Sequence, residues 1–142
     1  MKWAAAAAGG SVLLARSYGT YGSNYSTTST TFSTVGGASL FRLTFTAPAS
    51  GVVNLKLSMP TLIQGANSGY FNWRNGSTDL ANTDFRVYYG LTNANGQVNT
   101  SCFLTGLSGV YNLDVGFKVD NAATTFFGFL NNGSFQLEAW SA

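Results

Sequence analysis

The chain has 142 residues, enough for one domain and a tail, and 45% of them are apolar, which is ample for a packed core. Charged residues make up only 8%, against about 25% in an ordinary soluble domain, and the net charge of +2 includes no basic run, which excludes nucleic-acid binding through phosphate contacts. In place of charges stand 47 Ser, Thr, Asn and Gln residues, and a surface with so little repulsive charge suits a protein that packs permanently against others.

The first fifteen residues have the outline of a short signal peptide, because Met1 and Lys2 precede the apolar stretches 3–8 and 11–15. The pair Gly9-Gly10 interrupts these stretches, and they are too short to span a membrane. We therefore expect the segment to remain part of the chain, with no membrane as a partner.

Residues 17–35 form a low-complexity stretch of Ser, Thr, Gly and Tyr that ends near Gly36-Gly37. Such a stretch buries too little apolar surface to offset its own ordering entropy, so if it is ordered it must lie against something. We expect residues 1–36 to be an extended N-terminal assembly arm that contacts neighbouring subunits, and residues 37–142 to be the folded domain. A tail that lies on its own domain is the alternative. The side chains predicted to bind partners are Trp3, Leu13, Leu14, Tyr18, Tyr21, Tyr25 and Phe32.

After Gly37 short runs alternate between apolar and polar residues and are separated by turn residues, which is typical of β-strands. The run 52–59 is the clearest together with 110–119, and Pro60 is expected to end the former. The pattern predicts an all-β fold, an eight-stranded antiparallel jelly-roll sandwich. The eight strands are predicted at 40–46, 52–59, 70–74, 84–91, 98–107, 110–119, 124–129 and 134–140.

The sequence contains no recognisable catalytic constellation. Histidine, the commonest general base and metal ligand, is absent. The five acids show no pairing of the kind that a glycosidase needs, so we expect no enzyme activity, no cofactor and no metal. The run 79–84 is the one candidate for a calcium loop, against an Asx-type turn as the simpler interpretation.

Two further features have both a structural and a functional interpretation. Cys102, the single cysteine, is expected to be a small buried hydrophobe. Tyr70, Phe71 and Trp73 lie close together in the segment YFNWRNG. Packing of one strand face in the core is expected for them, with a subunit contact or a carbohydrate platform as the alternative.

The segment 40–59, LFRLTFTAPASGVVNLKLSM, resembles the opening of the trimeric jelly rolls of the complement and tumour-necrosis-factor superfamily. The matching residues are Phe45, Ala47, Pro48, Gly51 and the alternation over 53–57. Residues 126–130, FFGFL, resemble the late Phe-x-Gly-Phe-Leu element of that superfamily, in which such aromatics lie along the threefold axis. The resemblance implies a homotrimer with Phe126, Phe127 and Phe129 at the subunit interface.

Bacteriophages use the same fold for head-decoration and tail-associated trimers, and the chain is similar to those proteins in being polar, rich in Gly and free of His. This resemblance implies a structural virion protein, a capsid decoration protein that binds between subunits of the major capsid protein, stabilises the particle and is assembled in the host cytoplasm. Two alternatives remain open. One is a phage tail or fibre subunit that binds a receptor or glycan, and the other is a secreted sugar-binding module.

Overall fold

The computed structural model of the chain describes residues 10–65, 68–87 and 94–142. Every helix or strand in these ranges is a β-strand, so the predicted all-β class is confirmed. The described residues form twelve strands, however, and not the predicted eight. The strands are β1 (Leu13–Thr20), β2 (Tyr25–Thr27), β3 (Ser33–Thr34), β4 (Arg42–Thr46), β5 (Val53–Gln64), β6 (Gly69–Asn75), β7 (Thr78–Asp79), β8 (Phe85–Val87), β9 (Ala94–Leu104), β10 (Val110–Val119), β11 (Thr125–Phe129) and β12 (Ser134–Ser141).

The strands form two antiparallel sheets, each built around one long strand. In the first sheet, β5 pairs along one edge with β9 and along the other with β12 and then β11, end to end. Strand β1 pairs with β12, and β2 with β11. In the second sheet, β10 pairs along one edge with β6 and along the other with β4 and then β3. Strands β7 and β8 complete the second sheet beside β6.

The core lies between the two sheets and is filled from alternate positions of the central strands. Along β5 and β10 the inward side chains are almost completely buried, as the sequence pattern predicts. Aromatic rings join the sheets, since Phe126 of β11 lies 5.1 Å from Phe71 of β6, measured between ring centroids. The inward residues of the two central strands are Val53, Leu55, Leu57, Met59 and Ile63, and Leu113, Val115, Phe117 and Val119.

Pro60 does not end its strand, contrary to the prediction, because β5 runs through it to Gln64. Its position explains why the missing backbone donor is tolerated. Strand β12 pairs with β5 as far as Ser58 and β11 pairs from Leu62 onward, so Pro60 faces the turn that joins these two strands. Its carbonyl accepts a hydrogen bond from Leu130 at 2.9 Å. A proline at the gap between two partner strands removes no ladder hydrogen bond.

The predicted boundary at residues 36 and 37 is not a structural boundary in the described part of the chain. Residues 13–20 pair with β12, 25–27 with β11 and 33–34 with β10, so the Ser/Thr/Tyr-rich segment contributes strands to both sheets. Val35 is completely buried. Thr and Tyr favour strands wherever a neighbouring strand is available, and here the chain supplies its own. The interpretation of this segment as an extended arm is therefore corrected for residues 13–35.

Candidate functional site

The outer face of the first sheet is a surface where polar and aromatic side chains from four strands meet. The pairing of β1, β12, β5 and β9 aligns their outward residues in three rows. We call this surface the four-strand face. The middle row is Arg16, Glu138, Lys56 and Ser101, and the rows on either side are Leu13, Trp140, Asn54 and Phe103, and Tyr18, Gln136, Ser58 and Asn99.

Glu138 lies at the centre of the four-strand face, where only 7% of its surface is exposed. Its Oε1 accepts hydrogen bonds from Gln136 and, at 3.4 Å, from Arg16, and its Oε2 accepts one from the indole of Trp140. Burial alone would raise the pKa of Glu138, but these hydrogen bonds and the charges of Arg16 and Lys56 outweigh it and hold the pKa below its ordinary value. The carboxylate therefore stays charged with both oxygens occupied, which suits a role in organising the face.

Lys56 stands beside this carboxylate without forming an ion pair. The three ion pairs within the described ranges each join an arginine to a carboxylate, and Lys56 takes part in none of them. Its ammonium nitrogen lies 5.6 Å from the centre of the Trp140 ring, close enough for a cation–π contact. The side chain is exposed, so its three N–H donors face solvent.

A groove of about 580 Å³ runs along the four-strand face over β5, β9 and β12. The amide of Gln97 borders it and donates hydrogen bonds to the Ser58 hydroxyl at 2.8 Å and to the Ser134 carbonyl at 3.1 Å. Hydroxyl, amide and ammonium groups dominate the lining, so the groove can exchange several hydrogen bonds with a polar ligand. The outward side chains that line it are Lys56, Ser58, Asn99, Ser101, Gln136 and Glu138.

Two exposed rings lie elsewhere on the four-strand face, outside the lining of the groove. Phe103 is 60% exposed and Tyr18 is 72% exposed. Next to Phe103 in register, the carboxamide oxygen of Asn54 is buried and accepts no hydrogen bond. A buried acceptor without a donor costs about 1–3 kcal/mol, so a donor that reached this oxygen would stabilise this part of the face.

The N-terminal side chains that were predicted to bind partners have different surroundings. Trp3 lies outside the described residues. Leu14 packs against the core, whereas Leu13 and Tyr18 are exposed on the four-strand face. Phe32 lies on the second sheet, where the Lys118 ammonium nitrogen is 4.7 Å from its ring centre.

Tyr21 and Tyr25 are partly buried and pack against the core of their own chain, and their assignment as partner-binding residues stays a prediction. The Tyr21 ring lies 5.3 Å from Phe41 and 5.4 Å from Phe135, and its hydroxyl donates to the Leu40 carbonyl at 3.1 Å. Tyr25 lies 5.7 Å from the same Phe41 ring. These contacts hold the N-terminal segment to the sandwich.

Phe126 and Phe129, predicted at a trimer interface, are both completely buried within the chain's own core. They have no surface left with which to contact a second subunit, so this assignment is corrected. Phe127 points the other way along β11 and is partly exposed. Of the three, it alone keeps surface that another chain could cover.

The aromatic segment of β6 belongs to the core in part. Phe71 and Trp73 are at most 2% exposed, whereas Tyr70 faces outward and contacts the Lys118 ammonium at 5.1 Å from its ring centre. Core packing, the expected role for the segment, is confirmed for Phe71 and Trp73. A carbohydrate platform made of all three rings is excluded by the burial of these two.

The segment 79–84 contains a hydrogen-bonded turn. The Thr83 hydroxyl donates to the Leu80 carbonyl at 2.8 Å and accepts from the backbone of Trp73 at 3.0 Å. Asp79 Oδ1 accepts from Arg74 at 2.8 Å and from Asn72 at 3.1 Å. Within the described ranges, no three His, Cys, Asp or Glu residues are grouped so that they could hold a metal ion.

The central residues of the four-strand face were not singled out from the sequence. The alternation in 52–59 and 134–140 places Lys56, Glu138 and Trp140 on outward positions, and that is the signal available in the sequence. It does not tell which strands are neighbours, and these residues meet only because β12 pairs with β5.

The chain matches no known family model, and no curated protein shows significant sequence similarity to it.

The hydropathy of the chain bears on membrane insertion. The described part of the chain has no helix with the length and hydropathy that crossing a bilayer requires.

Proposed function

We propose that this chain is a structural virion protein, a bacteriophage capsid decoration protein that associates with copies of itself as a trimer and binds between subunits of the major capsid protein. The observation that carries the proposal is the open edge of β9. This strand has eleven residues, pairs with β5 along its whole length and has no partner on its other edge among the described residues.

The composition of β9 makes that edge suitable for contact with another chain. Its sequence, ANGQVNTSCFL, contains no charged residue and no proline. Natural monomeric proteins protect long edges with Lys, Pro or bulges, because unpaired backbone groups are a template for strand addition. An unprotected edge on a chain with so few charges is compatible with a subunit whose edge is permanently covered by another chain.

The strand order supports the jelly-roll part of the proposal. Eight strands, taken in chain order as β1, β4, β5, β6, β8, β9, β10 and β12, pair first with last, second with seventh, third with sixth and fourth with fifth. This nesting is expected when one long hairpin folds over into two sheets. Strands β2, β3, β7 and β11 are additions to that framework.

The proposal is tested on purified protein and on native particles. Light scattering should find a trimer, and antibodies against the chain should label particle heads at hundreds of copies. Phe103→Lys, which puts a charge on β9, should dissociate the trimer without changing the circular dichroism spectrum. Tyr18→Lys, at a similarly exposed position on β1, is the matched control and should leave the trimer intact. A monomeric unmutated protein, or particles without the chain, would refute the proposal.

A second candidate is a tail or fibre subunit that binds a host glycan. The observation that favours it is the polar lining of the groove on the four-strand face, which also carries the exposed rings of Tyr18 and Phe103. Copy number separates the two candidates, because a fibre subunit would be present in a handful of copies at the tail.

A further inference from the structure

We propose that the groove on the four-strand face binds a saccharide that carries a carboxylate, with Lys56 as the residue that recognises the acidic group. The inference rests on the second candidate function for its biological setting. It depends otherwise on the groove alone, and it requires neither a trimer nor a particle.

The lining of the groove favours a saccharide over other ligands. Sites for ordinary small molecules occupy about 300–1,000 Å³ and are mostly apolar. This groove, at about 580 Å³, has the volume of such a site but is lined by Ser58, Asn99, Ser101 and Gln136. Hydroxyls and amides can both donate and accept, which matches the closely spaced hydroxyl groups of a sugar.

The charges favour an acidic saccharide. Arg16 is 3.4 Å from Glu138, and the Glu138 carboxylate is also occupied by Gln136 and Trp140, so these charges offset each other. Within the described ranges the exposed Lys56 ammonium forms no ion pair, so together with Arg16 and Glu138 it leaves this part of the face with one net positive charge. A groove with a net positive charge and several neutral hydrogen-bonding groups is complementary to a ligand with one carboxylate and several hydroxyls.

Trp140, which lies under Lys56, restricts where the carboxylate of the saccharide can bind. Lys56 extends over the Trp140 ring, so its charged end is held on the Trp140 side of the groove. Ser101 stands opposite Lys56 in register, on the other side of β5. A sugar carboxylate at Lys56 would therefore lie with its ring hydroxyls toward Ser101 and Asn99.

The test is titration of the purified full chain with sialyllactose, with a galacturonic acid trisaccharide and with neutral lactose, followed by calorimetry. We expect at least one acidic probe to bind about tenfold more tightly than lactose, the factor that one charge-assisted hydrogen bond supplies. The two acidic probes separate sialic acid from uronic acid as the source of the carboxylate. The preference should weaken as salt is added.

The matched variants are Lys56→Gln and Lys118→Gln. Both lysines lie over aromatic rings, but Lys118 is on the second sheet, against Phe32 and Tyr70. Lys56→Gln should remove the preference for the acidic probe, and Lys118→Gln should keep it. Asn99→Ala should weaken binding of the same probe without removing the preference, which separates the hydrogen-bonding groups from the charge.

Three results would overturn the inference: no binding of any probe, equal binding of lactose and the acidic probes, or equal losses in Lys56→Gln and Lys118→Gln. Failure of saccharide binding leaves the decoration proposal untouched. Conversely, a chain that binds an acidic saccharide but is present in hundreds of copies on the head would refute the fibre candidate and keep the site.

Discussion

Arg42 and Asp114 lie directly opposite each other on β4 and β10 and form a two-pronged ion pair, with Nε to Oδ1 at 2.9 Å and Nη2 to Oδ2 at 2.8 Å. The side chain of Asp114 is 2% exposed, whereas that of Arg42 is 30% exposed. The backbone N–H of Ser39 adds a third hydrogen bond to the carboxylate, at 3.2 Å. A buried charge is thus neutralised by one residue that reaches it from the surface.

Arg42→Met should destabilise the fold by about 3 kcal/mol, because it leaves the Asp114 carboxylate buried without a counter-charge. Urea unfolding followed by tryptophan fluorescence measures the change. The double variant Arg42→Met with Asp114→Asn should recover much of the loss, since it removes the uncompensated charge. If the free energy of unfolding of Arg42→Met lies within about 0.5 kcal/mol of that of the original protein, this account of the pair is contradicted.

Because of Glu138, we expect the folded protein to become less stable in acid. Its folded-state pKa is held below the ordinary value of 4.5, so its contribution is complete above that pH and is lost as the pH falls toward the lower folded-state pKa. The free energy of unfolding should therefore drop below about pH 4.5 more steeply in the original protein than in Glu138→Gln. If the free energy of unfolding changes with pH in the same way in both proteins, the Glu138 carboxylate contributes nothing to stability.

The strands with a strict two-residue period could be predicted from the sequence, because one face of each is buried. β10 lies at the predicted place and β5 begins there but continues past Pro60, and the inward residues over 53–59 and 113–119 are those that the pattern indicates. The strands of the N-terminal segment could not be predicted in this way. In β1, from residue 15 onward, the less exposed positions carry Ala15, Ser17 and Gly19 and no large apolar side chain, so hydropathy shows no period there. The strand is stabilised by β12, more than a hundred residues away in the chain.

The composition of the four-strand face could not be predicted from the sequence either, because it depends on which strands are neighbours. Each outward residue of β5 and β12 could be assigned to its strand, yet no local feature states that Lys56 lies opposite Glu138. The predicted interface at Phe126 and Phe129 failed for a related reason. A cluster of aromatics indicates burial, and the sequence does not say whether the same chain or another provides it.

Gly69→Ala should destabilise the fold by about 1–3 kcal/mol, the usual cost of forcing extra volume into a packed core. A β-carbon at Gly69 would overlap the Phe126 ring, which is itself completely buried. Gly22→Ala is the matched control, because a β-carbon there would have no atom within 4 Å. Thermal unfolding of both variants measures the difference, and equal melting temperatures would contradict the close approach.

Cys102 should be nearly inert in the folded protein. Burial raises the pKa of its thiol to about 11, so at pH 8 roughly one molecule in a thousand carries the reactive thiolate. Labelling with a thiol reagent should be about two orders of magnitude slower than in denaturant. A cysteine introduced at the exposed Thr105, with Cys102→Ser, provides the control and should label rapidly. Fast labelling of Cys102 itself in the folded protein would contradict the raised pKa of this partly buried thiol.

The N-terminal segment should be required for folding, although its composition predicted the opposite. Tyr21→Ala should cost about 2–3 kcal/mol, somewhat less than a fully buried aromatic would, because the ring is half-buried against Phe41, Phe129 and Phe135. Tyr21→Phe keeps the ring and loses the hydrogen bond to Leu40, so it should cost about 1 kcal/mol. Tyr18→Ala, at a side chain that is 72% exposed, should change stability by less than about 0.5 kcal/mol.

Deletion of residues 1–36 extends this test to the whole segment. It removes β1, β2 and β3 and the buried Val35, and it exposes one edge of β12 and one of β11. The truncated chain should show neither a cooperative thermal transition nor the circular dichroism spectrum of the full chain. If it folds with unchanged stability, the contacts of Tyr21 and Val35 contribute little, and the segment is free to act as an arm toward neighbouring subunits.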